Sequence, residues 1–265
     1  MTASAADLSL PERRAVVTGG SRGIGRSIAL TFAAAGADVA LVARGRGVLE
    51  EVAAEVRALG RRSVALPCDV TDPAQVEAMA DAAQESLGGV DIVVNNAGAG
   101  GSHKFLGHPD GLWHRMLSAN LTSAYYVTKA FAPAMVAQRW GRIIMIASTA
   151  GKVGGCYVAA YTAAKHGVLG LTRALAVELA PYAITVNALC PGYVDTPMTQ
   201  ATIANITART GRGPGEAREA LERLSPQHRL IAPEEVARAA LFLAQEAARG
   251  ITGQALNVDG GAVMW

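Results

Sequence analysis

The sequence predicts an α/β protein: one doubly wound domain with a mostly parallel, seven-stranded sheet flanked by helices. The first indication is that short β-branched runs alternate with amphipathic stretches almost to the end of the 265 residues. The second is that several of these runs are apolar at consecutive positions, as in parallel sheets covered on both faces. No linker or internal repeat divides the chain, so we expect a single domain over residues 1–265.

The individual elements follow from composition and periodicity. The predicted strands are 15–18, 38–43, 63–66, 91–95, 142–147, 184–189 and 255–258. The predicted helices are 24–35, 48–59, 75–87, 112–137, 163–180 and 233–247. Residues 197–232 contain no predicted strand and carry a glycine-rich break at 211–215, which favours a lid over a substrate pocket above a disordered loop.

Composition excludes several classes of function. Basic and acidic side chains number 24 and 22, a balance that argues against nucleic acid or an anionic membrane as the main partner. Cys68, Cys156 and Cys190 lack CxxC spacing, which predicts buried thiols in a reducing compartment and no disulfide. The five histidines lack ligand spacing, so no metal site is predicted. Residues 1–14 have no apolar leader and no run reaches bilayer length, so we expect a soluble, cytoplasmic protein.

A glycine-rich turn, TGGSRGIG at residues 18–25, lies between the first predicted strand and the first helix. Glycines there permit a tight turn and bring backbone N–H groups and a helix N-terminus close to a pyrophosphate. A purely structural turn would also use glycine, but the position after the first strand favours nucleotide binding in a Rossmann-type domain. The predicted cofactor contacts in this turn are Gly19, Ser21, Arg22, Gly23, Ile24 and Gly25.

The second predicted strand bears on the choice of cofactor. In this fold an acidic residue at its carboxyl end binds the ribose 2′-hydroxyl, whereas arginine accommodates a 2′-phosphate. Asp38 begins the strand, at the wrong end for the ribose, while Arg44 follows it and Arg22 lies in the glycine turn. Two solvated surface arginines are the alternative interpretation, but the pattern favours NADP(H) over NAD(H).

Two tyrosine–lysine pairs have the same spacing, Tyr161 with Lys165 and Tyr125 with Lys129. Residues four apart lie on one face of a helix, so each pair places a phenol beside an ammonium group. A fixed cation lowers a tyrosine pKa from about 10, which suits proton transfer at neutral pH. The spacing alone does not distinguish the two pairs.

Together with other motifs, these residues resemble the short-chain dehydrogenase/reductase family in its single-domain branch, from about Arg13 to the end of the chain. The sequence is similar to 3-oxoacyl-thioester and polyketide ketoreductases in particular. The residues that carry the resemblance are the glycine turn, CDV at 68–70, NNAG at 95–98, Asn120, Ser148, Tyr161, Lys165, PGYVDT at 191–196 and ITGQALNVDGG at 251–261.

The resemblance implies further cofactor contacts at the ends of three strands. It assigns Asp69 and Val70 to the adenine, Asn96, Ala97 and Gly98 to the cofactor groove, and Pro191, Gly192, Val194 and Thr196 to the nicotinamide carboxamide. Such positions agree with the rule that ligands of open α/β sheets bind at strand ends.

The resemblance also distinguishes the two pairs. Ser148 lies thirteen residues before Tyr161, as the family pattern requires, whereas Leu112 lies thirteen before Tyr125 and has no hydroxyl. Tyr161 is therefore the implied proton donor to a carbonyl oxygen that Ser148 also binds, while Tyr125 and Lys129 are assigned to packing or an interface. Lys165 would lower the Tyr161 pKa and bind the nicotinamide ribose, and Asn120 would hold a water in the proton path.

The implied reaction is hydride transfer between the nicotinamide and a ketone or secondary alcohol. Reduction of a 3-oxoacyl thioester or a related polyketide ketone is the first expectation. An NAD-dependent dehydrogenase of a small secondary alcohol or 3-hydroxy acid is the alternative, and a non-catalytic dinucleotide sensor is a remote one. Family analogy implies a homotetramer or homodimer. Lid arginines at 209, 212, 218 and 223 would meet the phosphate of an acyl carrier or form a solvated helix face.

Overall fold

A computed structural model describes residues 9–265. Residues 1–8, which belong to the predicted domain and to the segment predicted to lack an apolar leader, lie outside the described part. Within it, seven parallel strands form one sheet in the order β3-β2-β1-β4-β5-β6-β7. The predicted seven-stranded, doubly wound sheet is confirmed. The strands are β1 Arg14–Thr18, β2 Asp38–Ala43, β3 Ser63–Pro67, β4 Ile92–Asn95, β5 Gly141–Ile146, β6 Ile184–Pro191 and β7 Ala255–Val258.

Helices cover both faces of this sheet. They are α1 Gly23–Ala34, α2 Arg46–Ala58, α3 Pro73–Leu87, α4 Asp110–Leu117, α5 Ser123–Gln138, α6 Ala159–Leu179, α7 Pro197–Thr210, α8 Pro214–Glu222 and α9 Pro233–Ala244. Successive strand residues point to opposite faces, so Val16 packs with α3, α5 and α6 while Val17 packs with α1, α2 and α9. This two-sided burial explains the consecutive apolar residues of the strands.

Two segments differ from the helices and loops predicted from the sequence. The continuous helix predicted over 112–137 is interrupted by a single π turn, Ser118–Thr122, between α4 and α5. A π turn preserves helical periodicity closely enough to escape a pattern analysis. The strandless segment 197–232 contains two helices, because Gly211 ends α7 in a left-handed conformation (φ 73°) and Pro214 begins α8.

Charged residues secure the amino-terminal edge of the sheet. Asp38 begins β2, where Arg61 and Arg62 bind its carboxylate at 2.9 and 2.8 Å. Arg14 binds Asp91 at 2.8 Å on the neighbouring side. Asp38 is therefore at the end of the sheet opposite to the carboxyl edge, as the sequence predicts.

The environments of the cysteines correct one prediction. Cys68 and Cys190 are buried as expected, but Cys156 is exposed in the loop before α6; all three are free thiols. Across residues 9–265, no helix has both the length and the apolar character needed to cross a bilayer.

Candidate active site

The sheet order reverses between β1 and β4, and the loops at their carboxyl ends diverge there. Open α/β sheets bind ligands at this position. Gly19 and Gly23 adopt left-handed conformations (φ 65° and 56°), which most side chains disfavour. A Cβ on Gly25 would overlap the carbonyl oxygen of Gly19, so the first turn of α1 packs directly on the loop backbone. The glycines thus let the loop backbone pack against the first turn of α1, and phosphate binding at this turn stays a prediction.

A hydrogen-bond network rooted at Thr18 joins this turn to the end of β4. The Thr18 hydroxyl accepts hydrogen bonds from the backbone N–H groups of Asn96 and Ala97, both at 3.0 Å. The Asn96 amide donates back to the Thr18 and Gly19 carbonyls at 2.9 and 3.2 Å. The sequence analysis assigns no role to Thr18. A hydroxyl at the end of an otherwise apolar strand is the feature of the sequence that indicates this network.

The end of β6 lies on the other side of the glycine turn, and we call the space between the turn and the ends of β4 and β6 the groove. A Cβ on Gly23 would lie 3.2 Å from Thr196 Cγ2, so the glycine turn and the start of α7 are in contact. Thr196 caps α7, and Val194 beside it is buried. Pro191 ends β6 against β7, and Gly192 lies close to Asp259.

The ends of β2 and β3 carry the residues predicted to bind the adenine half of a dinucleotide. Hydrogen bonds from the Thr71 N–H and hydroxyl hold the pKa of Asp69 below its usual range, and the Arg44 charge acts in the same direction. Arg44 is exposed, as is Arg22 at the N-cap of α1. Val70 and Thr18 line the same narrow gap at the ends of the strands.

Ser148 and the Tyr161–Lys165 pair come from adjacent elements at the carboxyl edge. Ser148 follows β5 and accepts a hydrogen bond from the Ala150 N–H at 3.1 Å. Tyr161 and Lys165 lie in the first two turns of α6, with the ammonium nitrogen 5.7 Å from the centre of the phenol ring. Lys165 is 5% exposed and donates to the Ile146 carbonyl at 2.8 Å.

The protonation equilibria of this pair differ from the sequence prediction. Burial lowers the pKa of Lys165 from 10.5 to about 8. Burial also raises the pKa of Tyr161, while interaction with the Ser148 hydroxyl acts in the opposite direction. The predicted lowering of the Tyr161 pKa is therefore wrong here, because desolvation of a buried phenolate outweighs the favourable polar contact.

Asn120 lies in the π turn, and its amide is held by backbone groups. Its Oδ1 accepts from the Ala99 N–H at 3.2 Å, and its Nδ2 donates to the Ala99 and Met116 carbonyls, both at 3.0 Å. A Cβ on Gly98 would lie 2.7 Å from Asn120 Oδ1 and 3.9 Å from Lys165 Nζ. The π turn therefore places Asn120 and Lys165 around one glycine, and the amide anchors the loop after β4. A bound water there remains a prediction.

The second pair, Tyr125 and Lys129, has the same internal geometry in a different environment. Its ammonium nitrogen lies 5.9 Å from the phenol ring, but Tyr125 is 45% exposed and Lys129 is also exposed on α5. Tyr125 therefore does not pack in the core of one chain, and its assignment to an interface stays a prediction. Burial, which spacing does not encode, separates this pair from Tyr161 and Lys165.

The four arginines predicted to meet an acyl-carrier phosphate or to form a solvated face, at 209, 212, 218 and 223, fall into two groups. Arg218 pairs with Asp195 and Glu222, and Arg223 pairs with Glu219, which agrees with a solvated helix face. The other two, Arg209 and Arg212, are exposed and form no ion pair with any residue from 9 to 265. The same described residues contain no cluster of three metal-ligating side chains.

A Rossmann-type sheet with a glycine turn after β1 and a serine, a tyrosine and a lysine grouped at its carboxyl edge defines an oxidoreductase of the dinucleotide-binding class. The short-chain alcohol dehydrogenase family model described as enoyl-(acyl carrier protein) reductase matches residues 19–263. The chain belongs to the short-chain dehydrogenase/reductase family and is an oxidoreductase acting on CH–OH groups.

Relatives of this chain include ketoacyl reductases and hydroxybutyrate dehydrogenases. It is 41% identical to granaticin polyketide synthase putative ketoacyl reductase 1 of Streptomyces violaceoruber, over 98% of this chain and 96% of that protein. It is 40% identical to D-beta-hydroxybutyrate dehydrogenase of Rhizobium meliloti (strain 1021), over 94% and 98% of the two chains. A crystal structure of a variant actinorhodin polyketide ketoreductase with NADPH is similar, with a TM-score of 0.92, 39% identity, and coverage of 96% and 98%.

Proposed function

We propose that this protein is an NADP(H)-dependent ketoreductase that reduces a 3-oxoacyl thioester or a related polyketide ketone. The observation that carries the proposal is the grouping of Ser148, Tyr161 and Lys165 beside a groove whose wall is backbone. Two hydroxyl groups next to that groove suit a carbonyl oxygen, which gains negative charge as it is reduced. The similarity to ketoacyl reductases supports this class of substrate.

In this proposal Tyr161 donates the proton and Ser148 hydrogen-bonds the same oxygen. A raised pKa keeps Tyr161 protonated at neutral pH, the form that an acid needs for reduction. Lys165, with a pKa of about 8, is mainly cationic at pH 7 and stabilises the phenolate that follows proton transfer. Asn120 is a positioning residue that holds the loop after β4 against Lys165.

The groove fits a nicotinamide dinucleotide, which supplies hydride chemistry when bound. Gly19 and Gly25 leave no room for a side chain where a pyrophosphate would approach α1. The exposed Arg22 and Arg44 suit a 2′-phosphate, and no acidic residue takes the place of Arg44 at the end of β2. These features favour NADP(H), with NAD(H) as the alternative. The remaining contacts in the proposal are Ser21, Gly23, Ile24, Asp69, Val70, Asn96, Ala97, Gly98, Tyr161, Lys165, Pro191, Gly192, Val194 and Thr196.

We further propose that residues 197–232 form the lid of this single catalytic domain. Thr196 caps α7 and also contacts the glycine turn. A shift of α7 would therefore move Thr196 relative to the glycine turn. The Asn205 amide donates to the Ser102 hydroxyl at 3.3 Å and ties α7 to the loop after β4. Assembly as a homotetramer or homodimer stays a prediction that light scattering of the purified protein tests.

A panel of substrates tests the proposal. Acetoacetyl thioester and crotonyl thioester are each assayed with NADPH and with NADH. In parallel, 3-hydroxybutyrate is assayed with NADP⁺ and with NAD⁺. We expect the acetoacetyl thioester with NADPH to give the highest kcat/KM. A preference for crotonyl thioester would agree with the enoyl reductase description of the family model, and a preference for 3-hydroxybutyrate with NAD⁺ would favour the dehydrogenase alternative.

The Tyr161→Phe variant tests the assignment of the acid. Phenylalanine keeps the ring and removes the proton, so ketone reduction should fall by about 10²- to 10⁴-fold. Tyr125→Phe is the matched control, because it removes a phenol from the same sequence spacing at an exposed position. Turnover by Tyr161→Phe close to that of the wild type would contradict the proposed mechanism.

A further inference from the structure

Tyr193 belongs to the PGYVDT motif at 191–196, but neither the implied cofactor contacts nor the proposed proton transfer gives it a role. It lies just beyond the carboxyl end of β6, and β6 pairs with β5, the strand that Ser148 follows. The two residues thus emerge from neighbouring strands at the same edge of the sheet. The side chain remains 41% exposed.

The backbone of Tyr193 is fixed on both sides. Its carbonyl accepts a hydrogen bond from the Ile231 N–H at 2.9 Å, and Val194 bridges to the same residue. The preceding Gly192 donates to the Val258 carbonyl at 3.1 Å. These contacts fix the backbone from which the phenol projects, independently of the Tyr193 hydroxyl.

The Tyr193 hydroxyl makes no hydrogen bond with the described residues 9–265, although the phenol is close to the catalytic centre. Burial is the main cause of the raised pKa of Tyr161, and the Ser148 hydroxyl opposes it. The nearby Tyr193 phenol raises the pKa of Tyr161 further. Burial also raises the pKa of Tyr193 itself, so at neutral pH this phenol carries a proton that it can donate. A half-buried donor without a protein acceptor is suited to a ligand.

We propose that Tyr193 donates a hydrogen bond to a second carbonyl oxygen of the substrate, while Ser148 and Tyr161 bind the oxygen of the ketone being reduced. The inference rests on the proposed ketoreductase function and specifies its substrate class: 1,3-dicarbonyl compounds, in which one carbon separates the two carbonyls. A 3-oxoacyl thioester has this arrangement. Tyr193 then selects such substrates over ketones that have one carbonyl.

The test compares wild type, Tyr193→Phe and the control Tyr125→Phe on three ketones with NADPH. The ketones are the acetoacetyl thioester of N-acetylcysteamine, pentane-2,4-dione and pentan-2-one. Loss of one neutral hydrogen bond should lower kcat/KM of Tyr193→Phe by about 3- to 10-fold for the two dicarbonyl compounds. For pentan-2-one, which has no second carbonyl, kcat/KM of Tyr193→Phe should stay within about 2-fold of wild type. Tyr125→Phe should match wild type on all three ketones, because Tyr125 makes no proposed hydrogen bond to the substrate.

The outcomes separate the inference from the proposed function. Equal effects of Tyr193→Phe on pentane-2,4-dione and pentan-2-one, or no effect on either, overturn the inference alone. A wild-type enzyme that reduces the diketone but not the thioester contradicts the proposed 3-oxoacyl thioester substrate and leaves the role of Tyr193 to be decided by the diketone ratio. Failure to reduce any of the three ketones removes both.

Discussion

Replacing Lys165 by methionine should raise the free energy of unfolding of the protein while strongly lowering its rate of ketone reduction. The ammonium group is buried and donates a hydrogen bond to the Ile146 carbonyl. A fall in pKa from 10.5 to about 8 means that the charged form costs the folded state ~3 kcal/mol at neutral pH. Loss of the hydrogen bond offsets about 1 kcal/mol of this gain. We therefore expect the free energy of unfolding of Lys165→Met to exceed the wild-type value by ~2 kcal/mol at pH 7.

This advantage should depend on pH in a defined direction. The folded protein releases the Lys165 proton near pH 8, whereas the unfolded chain keeps it to about 10.5. Between these values the unfolded state binds more protons, so the stability of the wild type rises with pH. At pH 9.5 about 2 kcal/mol of the cost has been relieved, and the advantage of the variant should fall below ~1 kcal/mol.

Urea denaturation followed by circular dichroism at pH 7 and 9.5 measures both values. Lys129→Met is the matched control, since it removes an exposed lysine from the same spacing and should change stability by less than about 0.5 kcal/mol. Ketone reduction should fall at least about 10²-fold in Lys165→Met and not in the control. A Lys165→Met protein less stable than wild type at pH 7, or an advantage unchanged at pH 9.5, would refute the reasoning.

Three further predictions concern the cofactor, the lid and acid stability. Arg44→Asp should lower kcat/KM for NADPH relative to NADH by about 10- to 100-fold, because the proposal gives Arg44 a charged hydrogen bond to the 2′-phosphate. Asn205→Ala should raise KM by about 3-fold with kcat little changed, because it removes the bond to Ser102. Glu235→Gln should lower the free energy of unfolding by about 1 kcal/mol at pH 7 in urea denaturation, because it breaks the ion pair with Arg229. The loss is small because the pair is half-exposed and solvent screens its charges.

The acid-stability prediction carries its own pH dependence. The Arg229 guanidinium lowers the pKa of Glu235 from 4.5 to about 2, so this stabilisation is present above about pH 5 and is lost as pH falls towards 2. The difference between wild type and Glu235→Gln should therefore vanish in unfolding measured near pH 2. Glu85→Gln, which changes an exposed carboxylate, serves as the control. A constant difference from pH 7 to pH 2 would contradict the ion-pair explanation.

The control for Asn205→Ala comes from the same helix. Thr202→Ala removes a hydroxyl that donates within α7, to the Met198 carbonyl, and should leave KM unchanged. An equal rise in KM for Thr202→Ala and Asn205→Ala would show that α7 itself was disturbed. An unchanged NADPH-to-NADH ratio in Arg44→Asp would remove the structural reason for preferring NADP(H).

Much of the fold follows from local sequence. Strand β2 was predicted with the bounds Asp38–Ala43 that it has, because its apolar run is bounded by a charge and a turn. The glycine turn was found because the conformation of Gly19 and Gly23 depends on residues nearby in the chain. The π turn at Asn120 was missed, since the apolar pattern that produces a helix hardly changes when one turn widens.

The parallel sheet, the glycine turn and the order of Ser148, Tyr161 and Lys165 can be read from the sequence, because periodicity and spacing are properties of neighbouring residues. Only the tertiary structure showed that Lys165 is buried and Lys129 exposed, although both follow a tyrosine by four positions. It also reversed the predicted direction of the Tyr161 pKa. Burial and desolvation depend on atoms contributed by distant segments of the chain, and these environments assemble only when the strands come together.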